Sequence, residues 1–446
     1  MNLWRLLPMT AAIGLALAGP ARAEGLLALY EAARAYDASW QSAKAQYDAN
    51  IARAEQSRAG ILPQASVSAG VTRNILDTRV TDFPAQDRTF TNQQATLSAS
   101  QPLYRPANLA TYRQGQRQLD LAEYQLSAAS QDLMIRVSQA YFDVLSAQDT
   151  LASVRAQKAA TAEQLASAKR NFEVGTSTIT DTREAQARYD LVVAGEIAAE
   201  NDLRVKKIAL DTLVGRNDVE PSPLITPLEV PAPQPASPEP WVAASEEFSP
   251  AILQARKAVE IAELETEKAK AGKKPTLDLT TSYGITHLIG SNSAATPLTA
   301  HSRINNGAFG VAFNWPLFTG FAVENRIRET LSLEDKARAD LEATRRQVAQ
   351  AVRTAYFGVL SGQNQVRALE SAEASSQSAL DANRLGYQVG VRINIDVLNA
   401  QSQLYQTKRD LAQARYNVLL GHLRLRQANG TLQAEDLARL NTLLMR

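Results

Sequence analysis

Chemistry needs reactive side chains held near one another, and this chain of 446 residues offers few. There is no cysteine, which excludes thiolate nucleophiles, disulfides and Cys-ligated metals. The three histidines, His287, His301 and His422, stand far apart without metal-ligand spacing. Phosphate loops, nucleophile elbows and HExxH motifs are missing, and no cofactor is called for. Lys+Arg and Asp+Glu nearly cancel, 47 against 46, and they interleave, as in Lys408-Arg409-Asp410. That pattern marks solvated helix faces, not a nucleic-acid surface. The chemistry left to the chain is hydrogen bonding and ion pairing at two points where helices must reverse. Val174-Gly175 and Val389-Gly390 carry glycines that can take the left-handed conformation ending a helix. Just beyond stand Thr180 and Asp181 in one case, Asn394 and Asp396 in the other. These are residue types that cap the next helix.

The two reversal points are one motif written twice. Ala140-Tyr-Phe-Asp-Val-Leu-Ser-Ala-Gln148 aligns with Ala355-Tyr-Phe-Gly-Val-Leu-Ser-Gly-Gln363 at an offset of 215 (355 − 140). The same offset relates Asp181 to Asp396 and Gly215 to Gly430, and upstream Pro102-Leu103-Tyr104 matches Pro316-Leu317-Phe318 with a slip of one. The halves differ at the tips: Tyr387 replaces Phe172, Arg392 replaces Ser177, and Asn399 replaces Glu184. Only the second tip therefore holds a phenol and a guanidinium, and Arg with Asp makes a charge-assisted pair.

The repeat dictates the elements that carry these tips. Residues 1–23 read as a secretory signal peptide: Arg5, an apolar run from Leu6 to Gly19, then Ala21-Arg22-Ala23 as the cleavage site. The first repeat, 24–219, reads as a helix, strands at about 62–75 and 90–104, a long helix at about 107–173 and a return helix at about 180–215. Residues 220–240 hold eight prolines and read as an extended connector. The second repeat, 241–430, reads as a helix, strands at about 275–288 and 305–318, a long helix at about 322–388 and a return helix at about 395–428. Residues 431–446 form a tail. The long helices carry a coiled-coil seam: Leu126, Leu133, Val137, Tyr141, Val144 and Leu151 match Leu341, Val348, Val352, Tyr356, Val359 and Val366. One narrow seam cannot make a globule, and aromatics are only 6%. The strands alternate, as in Phe309, Val311, Phe313 and Trp315 against Gly310, Ala312 and Asn314. That alternation suits a membrane barrel wall or a soluble sheet with one buried face. Narrow helices leave no apolar layer to cover a soluble sheet, and four strands cannot close a barrel in lipid, so closure requires several copies, and three would give twelve strands.

Several stretches then resemble the TolC family of outer-membrane exit ducts over nearly the whole mature length. They are Leu62-Pro-Gln64, Lys274-Pro-Thr-Leu-Asp-Leu-Thr280, Thr354-Ala-Tyr-Phe357, Gly386-Tyr-Gln-Val-Gly390, Ile395-Asp-Val-Leu398, Leu411-Ala-Gln-Ala-Arg-Tyr-Asn417 and the tail Gly430-Thr-Leu-Gln-Ala-Glu-Asp-Leu437. The resemblance implies an α+β membrane protein: a homotrimer with a twelve-stranded transmembrane barrel, four strands per protomer, continued by a long periplasmic coiled-coil barrel. It implies a passive duct for type I secretion or multidrug efflux in the outer membrane of a Gram-negative cell. Its partners would be outer-membrane lipid, a periplasmic adaptor and an ABC or proton-driven inner-membrane pump. A periplasmic coiled-coil adaptor or scaffold would share the export signal and helices but would not need four alternating strands.

The resemblance also assigns a gate. In the family, neighbouring hairpins are tied by hydrogen bonds and ion pairs. The matching positions are Thr180 and Asp181 on the first hairpin, Tyr387 and Arg392 on the second. Asp396 matches a constriction position, a ring of three carboxylates in a trimer that would favour cations. A second family aspartate is replaced here by Asn399, so the ring carries less charge. Arg384 stands where the family has an acidic partner for Gln164, which leaves a hydrogen bond from Arg384 to Gln164 as the expected link.

Overall fold

The structure is a computed structural model that describes residues 24–79, 81, 86–225, 232–290 and 301–444. The signal peptide at 1–23 and connector residues 226–231 lie outside them. Each repeat opens with two helices where one was expected: α1 (Leu26–Tyr36) and α2 (Ala38–Arg58), then α5 (Pro238–Phe248) and α6 (Pro250–Ala271). The first break sits at Asp37, whose carboxylate accepts from the Trp40 amide at 2.7 Å and caps α2. The Arg136 guanidinium forks onto the same carboxylate at 3.0 and 3.1 Å and holds it below the usual carboxylate range. At the second break Pro250 pushes Ser249 into extended backbone. The connector also needs correcting, because its last prolines, Pro238 and Pro240, lie inside the first turn of α5. A proline amide has no helical partner to lose there.

The strands are β1 (Gln64–Thr78), β2 (Gln86–Tyr104), β3 (Thr276–Gly290) and β4 (His301–Asn314), an antiparallel sheet in the order β1-β2-β3-β4. The β2–β3 pairing joins the two repeats into one sheet. Register sets Val67 beside Leu97, Tyr283 and Gly307, and Ala65 beside Ala99, Thr281 and Phe309. One face is thus apolar across all four strands, with Phe309 76% and Val67 75% exposed. The other carries Ser66, Ser98, Ser282 and Ala308. A soluble adaptor would not leave so large an apolar face bare. Along β3 the apolar band runs from Leu277 to Ile285, which at about 3.3 Å per residue and a 40° tilt makes a belt roughly 20–25 Å high. Among the described residues no helix is long and apolar enough to cross a membrane. β1 and β4 are open edges running in opposite directions, so copies can join edge to edge without breaking the antiparallel order.

From the sheet the chain turns into α3 (Pro106–Glu173) and α7 (Ala322–Gln388), of 68 and 67 residues. At about 1.5 Å per residue each is on the order of 100 Å long. They return as α4 (Ile179–Val214) and α8 (Asn394–Asn429). Where β2 meets α3, Arg105 donates through Nε and Nη2 to both carboxylate oxygens of Asp278 on β3, at 2.7 and 2.6 Å. This fork ties the helix of one repeat to the strand of the other. Midway along the helices lies the main core. Leu133, Val137, Tyr141 and Val144 of α3 pack with Leu26 and Leu29 of α1, Leu210 of α4, and Leu419 and Leu423 of α8. Val348, Val352, Tyr356 and Val359 of α7 form the matching core with Trp241, Ile252 and Leu425. The tail is not bare chain: α9 (Ala434–Asn441) has its own capping box, and Asp436 takes Arg426 at 2.6 Å. The chain start and the tail both brace the connector, Glu24 bridging to Pro221 and Leu444 to Leu224.

Candidate periplasmic gate

Both hairpin tips reverse by the same backbone device. Val174 ends α3, Gly175 takes a φ of 77°, and the Thr176 amide returns to the Asn171 carbonyl at 2.8 Å. Val389 ends α7, Gly390 takes a φ of 82°, and the Val391 amide returns to Gly386 at 2.9 Å. Only a residue without Cβ sits there at no cost. Val174, Ile179, Val389, Val391 and Ile393 are left exposed around the turns.

Beyond the turns the two hairpins diverge. In the first hairpin Thr178 is the N-cap of α4 and forms a capping box with Asp181. The Asp181 carboxylate accepts from the Thr178 amide at 3.0 Å, the Thr178 hydroxyl at 2.9 Å and the Ser177 hydroxyl at 2.7 Å. Burial opposes the charge on Asp181, but the bonds from Ser177 and Thr178 outweigh it and hold the carboxyl below its ordinary range. Thr180 is exposed and stands outside this network. In the second hairpin the position matching Thr178 is Ile393, which has no side chain to cap with. Asp396 is thereby released from capping, and Arg392, the counterpart of Ser177, lies 3.6 Å from it, one turn away. The expected reach of Arg392 to Asp181 is not made within the protomer: Asp181 is occupied by its own turn and Arg392 by its own helix.

The hairpins touch through other residues. Asn394 is fully buried. Its side-chain amide donates to the Asp181 carbonyl at 3.2 Å, and its oxygen accepts from Gln164 of α3 in a short bond. Gln164 thus turns to Asn394, and its expected bond with Arg384 is not formed. Asn171 of α3 donates to the Tyr387 hydroxyl at 3.3 Å, and Arg188 of α4 donates to Asn399 at 2.9 Å. Deeper in, buried Gln401 donates to Thr161 at 3.2 Å, and Arg409 donates to Gln157 at 3.1 Å. Treating Asn394 as a helix cap missed it as the hub. The signal was present in the comparison of halves, because its counterpart is the exposed Ile179. Altogether this is a polar, reversible seam. Its hydrogen bonds surround a small apolar cluster, in which Leu165 and Ala168 of α3 and Ala185 of α4 pack against Leu398 of α8.

A lipid-facing sheet that needs copies of itself to close, continuous with long helices ending in a polar seam, defines the subunit of a barrel-and-tunnel channel. Family comparison agrees: the model for "Outer membrane efflux protein" matches residues 29–216 and 241–431. The chain belongs to that family, and it is an outer-membrane exit duct. It is 33% identical to outer membrane protein TolC of Vibrio cholerae over 98% of both chains. It is 32% identical to the alkaline protease secretion protein AprF of Pseudomonas aeruginosa, over 93% of this chain and 86% of that one. Among solved structures, VceC of Vibrio cholerae superposes with a TM-score of 0.75 at 21% identity, covering 91% of this chain and 96% of that one. The open-state MtrE channel of Neisseria gonorrhoeae gives 0.73 at 19% identity, covering 92% and 90%. The fold is therefore the trimeric one, twelve strands continued by a helical tunnel.

Proposed function

We propose that the two hairpin tips of each protomer form the periplasmic gate of this duct. The gate opens when a periplasmic adaptor and an inner-membrane ABC or proton-driven pump engage the helices. The protein itself is passive and catalyses nothing. Cargo passes through the tunnel and leaves through the barrel. The carrying observation is the asymmetry after the turns. The first hairpin spends its aspartate on a capping box, whereas the second leaves Asp396 and Arg392 uncommitted to the backbone. In this reading the first hairpin is the fixed post and the second is the leaf that swings. Tyr387, Arg392, Gln164 and Asn394 are its latches, with Asp396 and Asn399 at the constriction. Arg384 makes no bond to Gln164, which is taken by Asn394, and is not a latch.

The test copies the first tip into the second. Tyr387→Phe with Arg392→Ser removes the hydroxyl that holds Asn171 and the cation beside Asp396. Single-channel conductance in planar bilayers should rise. Conductance equal to that of the unaltered protein would mean that these residues do not hold the tips together.

A further inference from the structure

The outward face of the sheet changes character just past its apolar belt, on the side away from the helices. The next register row is Val71, Gln93, His287 and Arg303, and Arg73 stands one row further out. Arg73, His287 and Arg303 are all exposed and make no ion pair or hydrogen bond among the described residues. His287 and Arg303 lie directly opposite one another across two strands, lining a shallow pocket with Ile289 and Ser302. Two basic side chains facing each other gain nothing from that pairing. The nearest described carboxylate on this face, Asp77, is two rows beyond Arg73 and is taken by Arg79 at 3.3 Å.

The apolar neighbours sharpen the problem. Arg73 is flanked on its own face by Val71 and Ile75, 71% and 82% exposed. A guanidinium on a lipid-facing wall is costly near the hydrocarbon and settles only where an anion meets it. The protein supplies none. The lipid surface does, at the height where the belt ends.

We propose that Arg73 and Arg303, with His287 as a further donor, bind the phosphate groups of outer-leaflet lipid. Bidentate guanidinium–phosphate geometry suits this better than a lysine would. Threefold closure repeats the cluster three times around the barrel, anchoring it in depth and rotation. The inference rests on the reading of this face as the lipid-facing wall.

The test uses the purified full-length trimer in detergent, titrated with diphosphorylated lipid A or with the same lipid stripped of phosphate, and read by native mass spectrometry. Unaltered protein should retain the phosphorylated form at least tenfold more tightly. The pair Arg73→Gln and Arg303→Gln should lose that preference while still running as an SDS-resistant trimer. Equal retention of both lipids, or an unchanged preference in the variant, overturns the phosphate site. Failure of the unaltered protein to form an SDS-resistant trimer would instead overturn the barrel wall on which the site rests.

Discussion

Asn394 is the residue on which the seam turns. It satisfies Gln164 with its oxygen and the Asp181 carbonyl with its nitrogen, from a fully buried position. Replacing it with the residue its own duplicate carries, Asn394→Ile, strands both partners. A buried polar group left unmade costs about 1–3 kcal/mol. The variant should leak more at rest, seen as a higher open fraction in planar bilayers, and an unchanged open fraction would remove Asn394 from the latch. Asp396 poses a different question, because Arg392 offsets part of its charge. Asp396→Ala should weaken cation preference only modestly, whereas Arg392→Ser should strengthen it, both measured as reversal potentials in a salt gradient. At the other tip the sign of pH dependence is fixed by Asp181. Its folded-state pKa lies below the ordinary value, so the capping box contributes fully above about pH 4 and is lost as pH falls through the lowered value. Acidification should therefore loosen the first tip, and Thr178→Ala should mimic it at neutral pH with a loss of about 1 kcal/mol. Amide exchange at residues 179–181 reads both.

At the scale of elements, the two return helices differ in how they begin. Restoring the missing cap with Ile393→Thr should slow amide exchange at 394–396 and draw Asp396 back toward its own turn. If the second hairpin is the moving leaf proposed above, conductance should fall as it becomes a second fixed post. Amide exchange no slower than in the unaltered protein would show that Asp396 cannot complete the box. Long elements were legible because their signals add up: the 215-residue offset, the seam from Leu133 to Leu151 and the alternation around Phe309 each repeat over many positions. Single-residue decisions were not. The Asp37 break has a capping residue and no other mark in an otherwise continuous helical stretch. Pro238 and Pro240 look the same in a connector as in a first helical turn, since a proline is accepted by both. Arg392 had two aspartates of equal chemistry within reach. Only the backbone shows that Thr178 has already engaged one of them.

For the whole molecule, the decisive property is which side of the sheet meets lipid. Phe309 lies in the middle row of the apolar belt and Ala308 on the opposite face. Phe309→Lys should cost about 2–4 kcal/mol and abolish the SDS-resistant trimer, while Ala308→Lys should leave it intact. Equal tolerance would place the membrane elsewhere. The fork from Arg105 to Asp278 sets how the tunnel meets this wall, and it joins one repeat to the other within a single chain. The covalent joining of repeats has a consequence for symmetry. Three chains of two repeats make a ring of six nearly equivalent positions. A ring of six identical subunits would answer any mutation sixfold and could dilate only as a uniform circle. Fusion lets a change such as threonine to isoleucine at the cap fall on alternate positions. The ring then becomes threefold, in the proposed gate with stationary and moving members interleaved, and one nucleotide substitution is expressed three times around the pore instead of six.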